Sequence, residues 1–332
     1  MLAPMKLALQ NFTIVGAGTI GLSFSALHLA RSKTTNVTIC DPRPDLADHI
    51  SNILPTYLPP SFPTVQELLA SGRLRTTADL KEACKDADVV QEQGPEQTKW
   101  KQEIWAKIEP LVSDKCHLWS STSGIRSSIQ NQLMSQEGRK RHVVVHPFNP
   151  PHIMPLIEIV GSPETPEHLL QVPEEYFDRI GHRPVIIKKE CTGFVGNRLA
   201  FVLFREACKL VADGVCSAKD VDAVIEASVG IRWGIKGPFA SYNDGGGAGG
   251  LKAFMGNVGL SAKDVWTESW EKKDGGLEGK WEEMIVEQAR EAYGTPTKES
   301  LVDRNRITMK VIETIREERR AIAEEKLAAA KK

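Results

Sequence analysis

Short apolar runs alternate with helix-like stretches over the first half of the chain, and this alternation constrains the fold more than any other feature. Strands that alternate with helices form parallel βαβ units, so the pattern predicts a doubly wound α/β sheet. The predicted strands are Phe12–Val15, Asn36–Cys40, Ala87–Gln91, His117–Ser120, His142–His146, Leu156–Val160 and Pro184–Ile187.

The pattern changes at two places along the chain. Between Asp41 and Ala87, repeated prolines exclude one uninterrupted helix, and two separate helices are expected there. After Thr192 the strand patterns stop, so we expect an all-helical domain over residues 192–332 and the sheet within residues 1–191. The helical part includes a capping-box-like start at Ser217. The next helix is expected to bury Val221, Val224 and Ile225.

A glycine-rich turn, Gly16-Ala-Gly18-Thr-Ile-Gly21, follows the first predicted strand and opens the first predicted helix. In that context the three glycines permit a tight turn, a close approach to a pyrophosphate and close contact between helix and strand. The first residues of the helix, Thr19 and Ile20, bring free N–H groups and the positive end of the helix dipole. The turn therefore predicts a dinucleotide-binding, Rossmann-like domain.

Asp41 lies 20 residues after Gly21, at the end of the second predicted strand. A carboxylate at this position accepts hydrogen bonds from the ribose hydroxyls and repels a 2′-phosphate. The expected cofactor is therefore NAD. The neighbouring Arg43 leaves NADP open, since an arginine there can accept a 2′-phosphate.

Charge and cysteine content exclude several other classes of function. Lys plus Arg number 42 and Asp plus Glu 43, so no basic excess favours nucleic acid and no charge block favours a membrane surface. The six cysteines have no CxxC spacing, so no metal site or redox dithiol is expected. With no apolar run near the ~20 residues of a membrane span and no targeting pattern at either end, the expected location is cytoplasmic.

A hydroxyl group that loses a hydride also loses a proton, which requires a base such as a histidine whose other nitrogen is held by an acceptor. His146 ends one predicted strand, and Glu158 lies within the next. Strand ends meet the cofactor in a doubly wound sheet, and an acid inside an apolar strand is costly unless it is paired. The residues alone leave two interpretations: a catalytic pair, or a structural histidine and an edge-strand glutamate.

Three further motifs, taken together, resemble the L-3-hydroxyacyl-CoA dehydrogenase family. They are His146-Pro-Phe-Asn-Pro-Pro with Glu158 twelve residues later, Gly193-Phe-Val-Gly-Asn197-Arg-Leu, and Ser-Ser-Thr-Ser123-Gly. The resemblance implies that His146 is the base, that Glu158 orients it, and that Ser123 and Asn197 hydrogen-bond the reacting oxygen. It also implies a homodimer formed by the helical domain.

The resemblance also places Glu96 near the nicotinamide. Each of these polar residues has a structural alternative. Ser123 fits a helix cap, Asn197 fits a capping or interhelix amide, and Glu96 fits an acid in the first turn of a helix, where the dipole favours it.

Two segments resemble the branch of this family that acts on free acids, the L-carnitine and L-gulonate dehydrogenases. They are Gln91-Glu-Gln-Gly-Pro-Glu96 and Gly230-Ile-Arg232-Trp233-Gly. Arg232 is a fork-shaped donor suited to a carboxylate, and Trp233 suits a quaternary ammonium by cation–π attraction. The alternative is a surface arginine and a core tryptophan.

The sequence therefore predicts an NAD-dependent oxidoreductase that converts the 3-hydroxyl of a small L-3-hydroxy acid, carnitine-like or gulonate-like, to the 3-keto acid. Two alternatives remain: an enzyme acting on the coenzyme A thioester, and a non-catalytic, crystallin-like structural or binding protein. The complete set of Ser123, His146, Glu158 and Asn197 favours an enzyme, because a structural protein has no need of it.

Overall fold

The computed structural model describes residues 9–270, 283–284, 287–288, 290–291 and 297–330. It divides into two compact units, Met1–Arg198 and Leu199–Lys332, which are described separately. None of the described helices combines the length and the hydropathy that crossing a membrane requires.

The first unit is built on one eight-stranded sheet with the strand order 3-2-1-4-5-6-7-8. The order reverses between the first and fourth strands, which is the topological switch point of a doubly wound sheet. The predicted fold class is therefore confirmed. The strands are β1 (Asn11–Val15), β2 (Asn36–Cys40), β3 (Leu74–Thr77), β4 (Val89–Glu92), β5 (His117–Ser120), β6 (His142–Pro147), β7 (Leu156–Gly161) and β8 (Arg183–Ile187).

Nine helices lie wholly or partly in the described residues of this unit, with short 3₁₀ turns at Leu54–Tyr57 and Glu109–Leu111. The helices are α1 (Thr19–Arg31), α2 (Leu46–Ile53), α3 (Val65–Ala70), α4 (Leu80–Cys84), α5 (Thr98–Ile108), α6 (Ser127–Gln130), α7 (Gln136–Arg141), α8 (Glu167–Arg179) and α9 (Gly196–Ala212).

Two features of the sheet differ from the expectation of parallel strands alone. β3 lies inside the proline-rich segment, where no strand was predicted, and pairs in parallel with β2 at the edge of the sheet. β7 runs antiparallel to β6. The link between β6 and β7, residues 148–155, is too short for the crossover that a parallel pair requires.

The core of the first unit consists of apolar side chains from the sheet and the helices that cover it. Phe12 and Ile14 of β1, Phe24 of α1, Trp119 of β5 and Phe177 of α8 are all fully buried. Truncating one such aromatic side chain to alanine typically costs about 3–5 kcal/mol. This packing holds the strand ends, and the side chains that follow them, in fixed positions.

The described part of the second unit is helical, as predicted. It contains the rest of α9, then α10 (Ala218–Glu226), α11 (Val229–Ile235), α12 (Pro238–Gly245), α13 (Gly250–Trp270) and α14 (Lys298–Ala330), with a 3₁₀ turn at Gly247–Gly249.

The start of α10 was predicted correctly, but its buried face was not. Ser217 and Asp220 form the reciprocal bonds of a capping box. None of Val221, Val224 and Ile225 is buried, and Val224 is 62% exposed, because no described part of the second unit covers that face. Apolar spacing shows that side chains share a face, but not whether another element covers it.

Candidate active site

The glycine-rich turn connects β1 to α1 at the switch point of the sheet. Gly16 has a φ of +106°, a left-handed conformation that favours glycine. A Cβ at Gly21 would clash with the carbonyl oxygen of Gly16, so the helix packs closely on the turn only without a side chain there. A Cβ at Gly18 would meet nothing within 4 Å, so this glycine faces open space.

Gly18 is also the N-cap of α1, and no side chain caps the helix. The first-turn N–H groups, which include those of Thr19 and Ile20, have no partner within an α-helix. Open space beside uncapped donors is the arrangement that a pyrophosphate requires. These residues therefore fit a dinucleotide.

Asp41 directly follows β2 and faces the same turn. Its Oδ2 accepts the N–H of Ala17 at 2.7 Å, and its Oδ1 accepts the backbone N–H and the Nε–H of Arg43 at 3.0 and 3.2 Å. Burial alone would raise the pKa of this carboxyl, but these hydrogen bonds and the charge of Arg43 together lower it. Oδ2 keeps a lone pair for a ribose hydroxyl, whereas Arg43 occupies both lone pairs of Oδ1.

His146 and Glu158 are directly opposite each other on the antiparallel strands β6 and β7. Directly opposed residues project their side chains from the same face of a sheet. His146 Nδ1 lies 2.8 Å from Glu158 Oε2, and both residues are buried. The antiparallel pairing of β6 and β7, and not only the spacing of twelve residues, therefore brings the imidazole and the carboxylate together.

The other oxygen of Glu158 is bound by the start of α9. Oε1 accepts the backbone N–H groups of Val195 and Gly196, each at 2.9 Å. Burial would raise the pKa of Glu158, but the bonds from His146, Gly196 and Val195 together outweigh it and lower that pKa. Glu158 is therefore ionised near neutral pH, so it accepts the Nδ1–H of His146.

The imidazole of His146 is enclosed by two aromatic rings. The centroids of Phe148 and Phe194 lie 5.5 and 5.4 Å from that of His146. Phe194 is fully buried and has a φ of +51°, an uncommon conformation for a residue with a side chain. Among the described residues, His146 Nε2 has no hydrogen-bond partner, so it is free to accept a proton.

Asn197 and Ser123 are also brought together. Asn197 Nδ2 donates to the carbonyl oxygen of Ser123 at 2.7 Å, and the Ser123 hydroxyl makes no hydrogen bond within the described residues. Because Gly196 binds Glu158 and Asn197 binds Ser123, the two clusters are adjacent. The amide keeps one N–H, and the serine keeps its hydroxyl proton, for another acceptor.

Glu96 holds the Ser123 loop from the other side. Its Oε1 accepts the Thr122 hydroxyl at 2.5 Å and the N–H groups of Ser123 and Gly124 at 2.9 and 3.1 Å. The alternative of an acid in the first turn of a helix is wrong, because α5 begins only at Thr98 and has no acid in its first turn.

Sequence reasoning missed a buried ion pair behind this loop. Lys101 Nζ lies 2.9 and 3.0 Å from the two carboxylate oxygens of Glu92, and 3.5 Å from Glu96 Oε2. Glu92 also accepts hydrogen bonds from the Ser120 hydroxyl and from the N–H of Gly94. The signal available in the sequence was an acid at the end of an apolar strand, which requires a partner.

The remaining predicted site residues lie in the second unit, on α11. Arg232 is exposed and Trp233 is partly buried, so Trp233 is not a core tryptophan within the described residues. No cluster of metal-ligating side chains occurs in the described part of the chain.

Comparison with known proteins identifies the family of this chain. Residues 11–191 match the family model of the 3-hydroxyacyl-CoA dehydrogenase NAD binding domain, and residues 193–274 match that of the C-terminal domain. L-carnitine dehydrogenase of Pseudomonas putida is 33% identical over 80% of this chain and 81% of its own length. That of Nocardiopsis dassonvillei is 30% identical over 97% and 96%.

A solved structure with related architecture is an NAD⁺-dependent 5-formyl-3-hydroxy-2-methylpyridine-4-carboxylic acid 5-dehydrogenase. It has a TM-score of 0.70 and 26% identity, and covers 93% of this chain and 99% of its own. Both family models, the full-length relatives and the glycine turn with Asp41 agree, so this chain is a member of the NAD-dependent 3-hydroxyacyl-CoA dehydrogenase family of oxidoreductases.

Proposed function

We propose that this chain oxidises the 3-hydroxyl of a small L-3-hydroxy acid to the 3-keto acid, with His146 as the general base. The observation that carries the proposal is the buried His146–Glu158 pair. Glu158 is bound at both oxygens, by His146 on one and by the start of α9 on the other, while His146 Nε2 remains free.

In oxidation, His146 Nε2 takes the proton of the substrate hydroxyl. The imidazolium that forms is stabilised by the Glu158 carboxylate, which also fixes the orientation of the ring. Because Nδ1 already donates to Glu158, the neutral ring presents its acceptor nitrogen outward. In reduction the same nitrogen returns the proton to the forming hydroxyl.

Ser123 and Asn197 act on the reacting oxygen. The Ser123 hydroxyl and the second N–H of Asn197 are donors without partners in the described residues, and donors aimed at a forming carbonyl oxygen stabilise it. Glu96 fixes the loop that carries Ser123.

Bound NAD supplies the acceptor for the hydride that leaves C3. We propose that the turn from Gly16 to Gly21 holds its pyrophosphate, that Asp41 binds its ribose hydroxyls, and that Glu96 lies near its nicotinamide. We also propose a functional division into a cofactor-binding part, residues 1–191, and a substrate and dimerisation part, residues 192–332. The boundary falls between the segments matched by the two family models.

For the substrate, we propose a free carboxylate bound by Arg232, with Trp233 against a quaternary ammonium. The identity to several L-carnitine dehydrogenases supports this class over a thioester. Arg232→Met is expected to lose roughly 2–4 kcal/mol of transition-state stabilisation for a free hydroxy acid. The loss is expected to be much smaller for a thioester, which lacks that charge.

We further propose a homodimer. Helix α9 exposes a run of large apolar side chains, including Phe201 at 63% and Phe204 at 60%, and such patches mark interaction surfaces. A second copy of this chain is the occupant that the family resemblance implies. Light scattering after size-exclusion chromatography is expected to give twice the mass of one chain. The variant Phe204→Asp is expected to give the mass of a single chain.

The test of the function is an NAD-reduction assay with L-carnitine, L-gulonate, L-3-hydroxybutyrate and 3-hydroxybutyryl-CoA, run on wild type and on Arg232→Met. Turnover of a free acid that falls in Arg232→Met supports the proposal. Turnover of the thioester alone contradicts the substrate class. NADH binding without turnover of any of the four favours the structural or binding protein instead.

A further inference from the structure

A cavity lies at the amino ends of the parallel strands, whereas the glycine turn lies at their carboxyl ends. It surrounds His117, at the amino end of β5, between the C-terminus of α7 and the N-terminus of α8. Its volume is about 640 Å³. Small-molecule sites in proteins are typically about 300–1,000 Å³. No residue of the proposed active site lines it.

His117 is a buried polar side chain in this cavity without a hydrogen-bond partner. The residue is only 6% exposed, and among the described residues its imidazole makes no hydrogen bond. Burial, and then the charge of Arg141, lower the pKa of His117 to about 4. The ring is therefore neutral near pH 7 and has one N–H to donate. Since no described protein group pairs with the imidazole, its N–H is available to a ligand that enters the cavity.

Arg141 lines the cavity with a positively charged guanidinium group whose position is fixed. One of its guanidinium nitrogens, Nη1, donates to the carbonyl oxygens of Ser113 and Cys116 at 2.8 and 2.9 Å. These bonds hold the group in place, and no described carboxylate forms an ion pair with it. The rest of the fork remains available, in a geometry that suits a carboxylate.

The other charges of the cavity leave a small positive balance near His117. Lys140 pairs with Glu137 at 2.6 Å, so these two compensate each other. Lys115 and Asp114 are exposed on the rim, and neither forms an ion pair within the described residues. The charges of Lys115 and Asp114 cancel, so Arg141 leaves the lining with one net positive charge. A ligand that carries one negative charge balances it.

The α8 side of the cavity adds donors and apolar surface. Pro166 is the N-cap of this 13-residue helix, and no side chain caps it. The first-turn N–H groups and the helix dipole favour a negative charge. Leu169 and Val172 of the same helix line the cavity as well. The ligand therefore has an apolar body as well as a charge.

We propose that this cavity is a second ligand site that binds a small organic acid, a carboxylate on an apolar body of a few carbons. The carboxylate binds Arg141 and the N–H of His117, and the carbon chain lies against Leu169 and Val172. The site is separate from substrate binding and does not depend on the proposed function.

The test is calorimetric titration of the full chain with hexanoate. Hexan-1-ol is the control ligand with the same carbon chain and no charge, and inorganic phosphate is the control anion with no carbon chain. Removing one charge-assisted hydrogen-bond partner is expected to weaken hexanoate binding at least about tenfold in Arg141→Met. His117→Phe, which keeps a ring of similar size, is expected to weaken it as well. Arg183→Met, an exposed arginine at the start of β8, is the matched control, and hexanol and phosphate are expected to bind far more weakly.

Arg232→Met distinguishes this site from the proposed substrate site. Retained hexanoate binding in Arg232→Met, with loss in the Arg141 and His117 variants, supports the second site. Loss only in Arg232→Met, equal binding of phosphate, or no binding to wild type overturns it. If Arg141→Met does not fold, His117→Phe decides the question, since the His117 ring makes no bond that holds the backbone.

Discussion

Two buried carboxylates in the first unit differ in the partner that each one binds. Glu92, at the end of β4, pairs with Lys101, and Glu158, in β7, pairs with His146. Both pairs are almost completely buried, and both carboxylates also accept backbone N–H groups from a neighbouring loop or helix. The surroundings are similar, so the difference lies in the partner.

The partners differ in what they offer besides a positive charge. An ammonium group has donors and no acceptor, and Lys101 Nζ directs itself to oxygens of Glu92 and Glu96. An imidazole bound at Nδ1 still has Nε2 as an acceptor. The Lys101 pair therefore fixes a loop, while the His146 pair fixes a ring and leaves its second nitrogen without a partner in the described residues, as the proposed general base requires.

The largest expected effect comes from removing the acceptor nitrogen. His146→Gln is expected to lower kcat by a factor of about 10²–10⁴, because general-base catalysis is lost. NADH affinity, measured by fluorescence titration, is expected to remain. His168→Gln, at an exposed position of α8, is the control. Near-normal turnover of His146→Gln with intact NADH binding would show that this histidine is not the base.

The second effect falls on stability. Lys101→Met leaves Glu92 buried without a cation, which typically costs about 3–5 kcal/mol of unfolding free energy. Lys99→Met, on the same helix, removes a lysine whose side chain is 90% exposed and is expected to change stability by less than about 1 kcal/mol. Urea unfolding of both variants measures the difference. Equal midpoints would mean that the buried pair contributes nothing.

The third effect concerns pH. The pKa of Glu158 is lower in the folded chain than in an unfolded one, so its contribution to stability is complete above the unfolded value of about 4.3 and is lost as the pH falls through the folded value. Glu158→Gln is expected to have a lower free energy of unfolding than wild type at pH 7. The difference between the two free energies is expected to decrease below about pH 4. Urea midpoints at several pH values measure it. A stability difference between Glu158→Gln and wild type that stays constant with pH would show that the ionisation of Glu158 is not linked to folding.

The smallest effect belongs to a third carboxylate, Asp41, whose partner Arg43 is partly exposed. NADH is expected to bind at least about tenfold tighter than NADPH, a difference of about 1.4 kcal/mol. Asp41→Ala is expected to lower the ratio of NADH to NADPH affinity, because the carboxylate that repels the 2′-phosphate is gone. Arg43→Ala is expected to raise this ratio, because no arginine then offsets the repulsion between Asp41 and the 2′-phosphate. Fluorescence titration with both nucleotides gives the ratios, and equal affinities in wild type would refute the assignment.

Much of the sheet could be predicted from the sequence because its inner strands are short apolar runs between turn residues. β2 and β5 have the bounds that the pattern predicts, and α1 begins at Thr19 as predicted. β3 could not be predicted, because Leu-Arg-Thr-Thr is a polar edge strand with only Leu74 buried. The exposure of Val224 could not be predicted either, because periodicity carries no information about the neighbouring element.

The site was predictable where local pattern determines chemistry, as at Gly16 to Gly21. The pairing of His146 with Glu158 needed the register of an antiparallel pair, which the strand candidates alone do not give. The ion pair of Lys101 could not be predicted because its partner, Glu92, belongs to a different element, β4. Long-range pairs of this kind become visible only when the chain is folded.

The tight fit at Gly196 has an evolutionary consequence. A Cβ there would lie 2.7 Å from the ring of Phe148 and 3.3 Å from Glu158 Oε2. A side chain at 196 therefore requires that the partly exposed ring of Phe148 shifts or is replaced by a smaller group. Positions 196 and 148 are therefore expected to change together: a library that randomises 196 alone is expected to be enriched in glycine, and one that varies both positions is expected to accept larger residues at 196 when 148 is smaller.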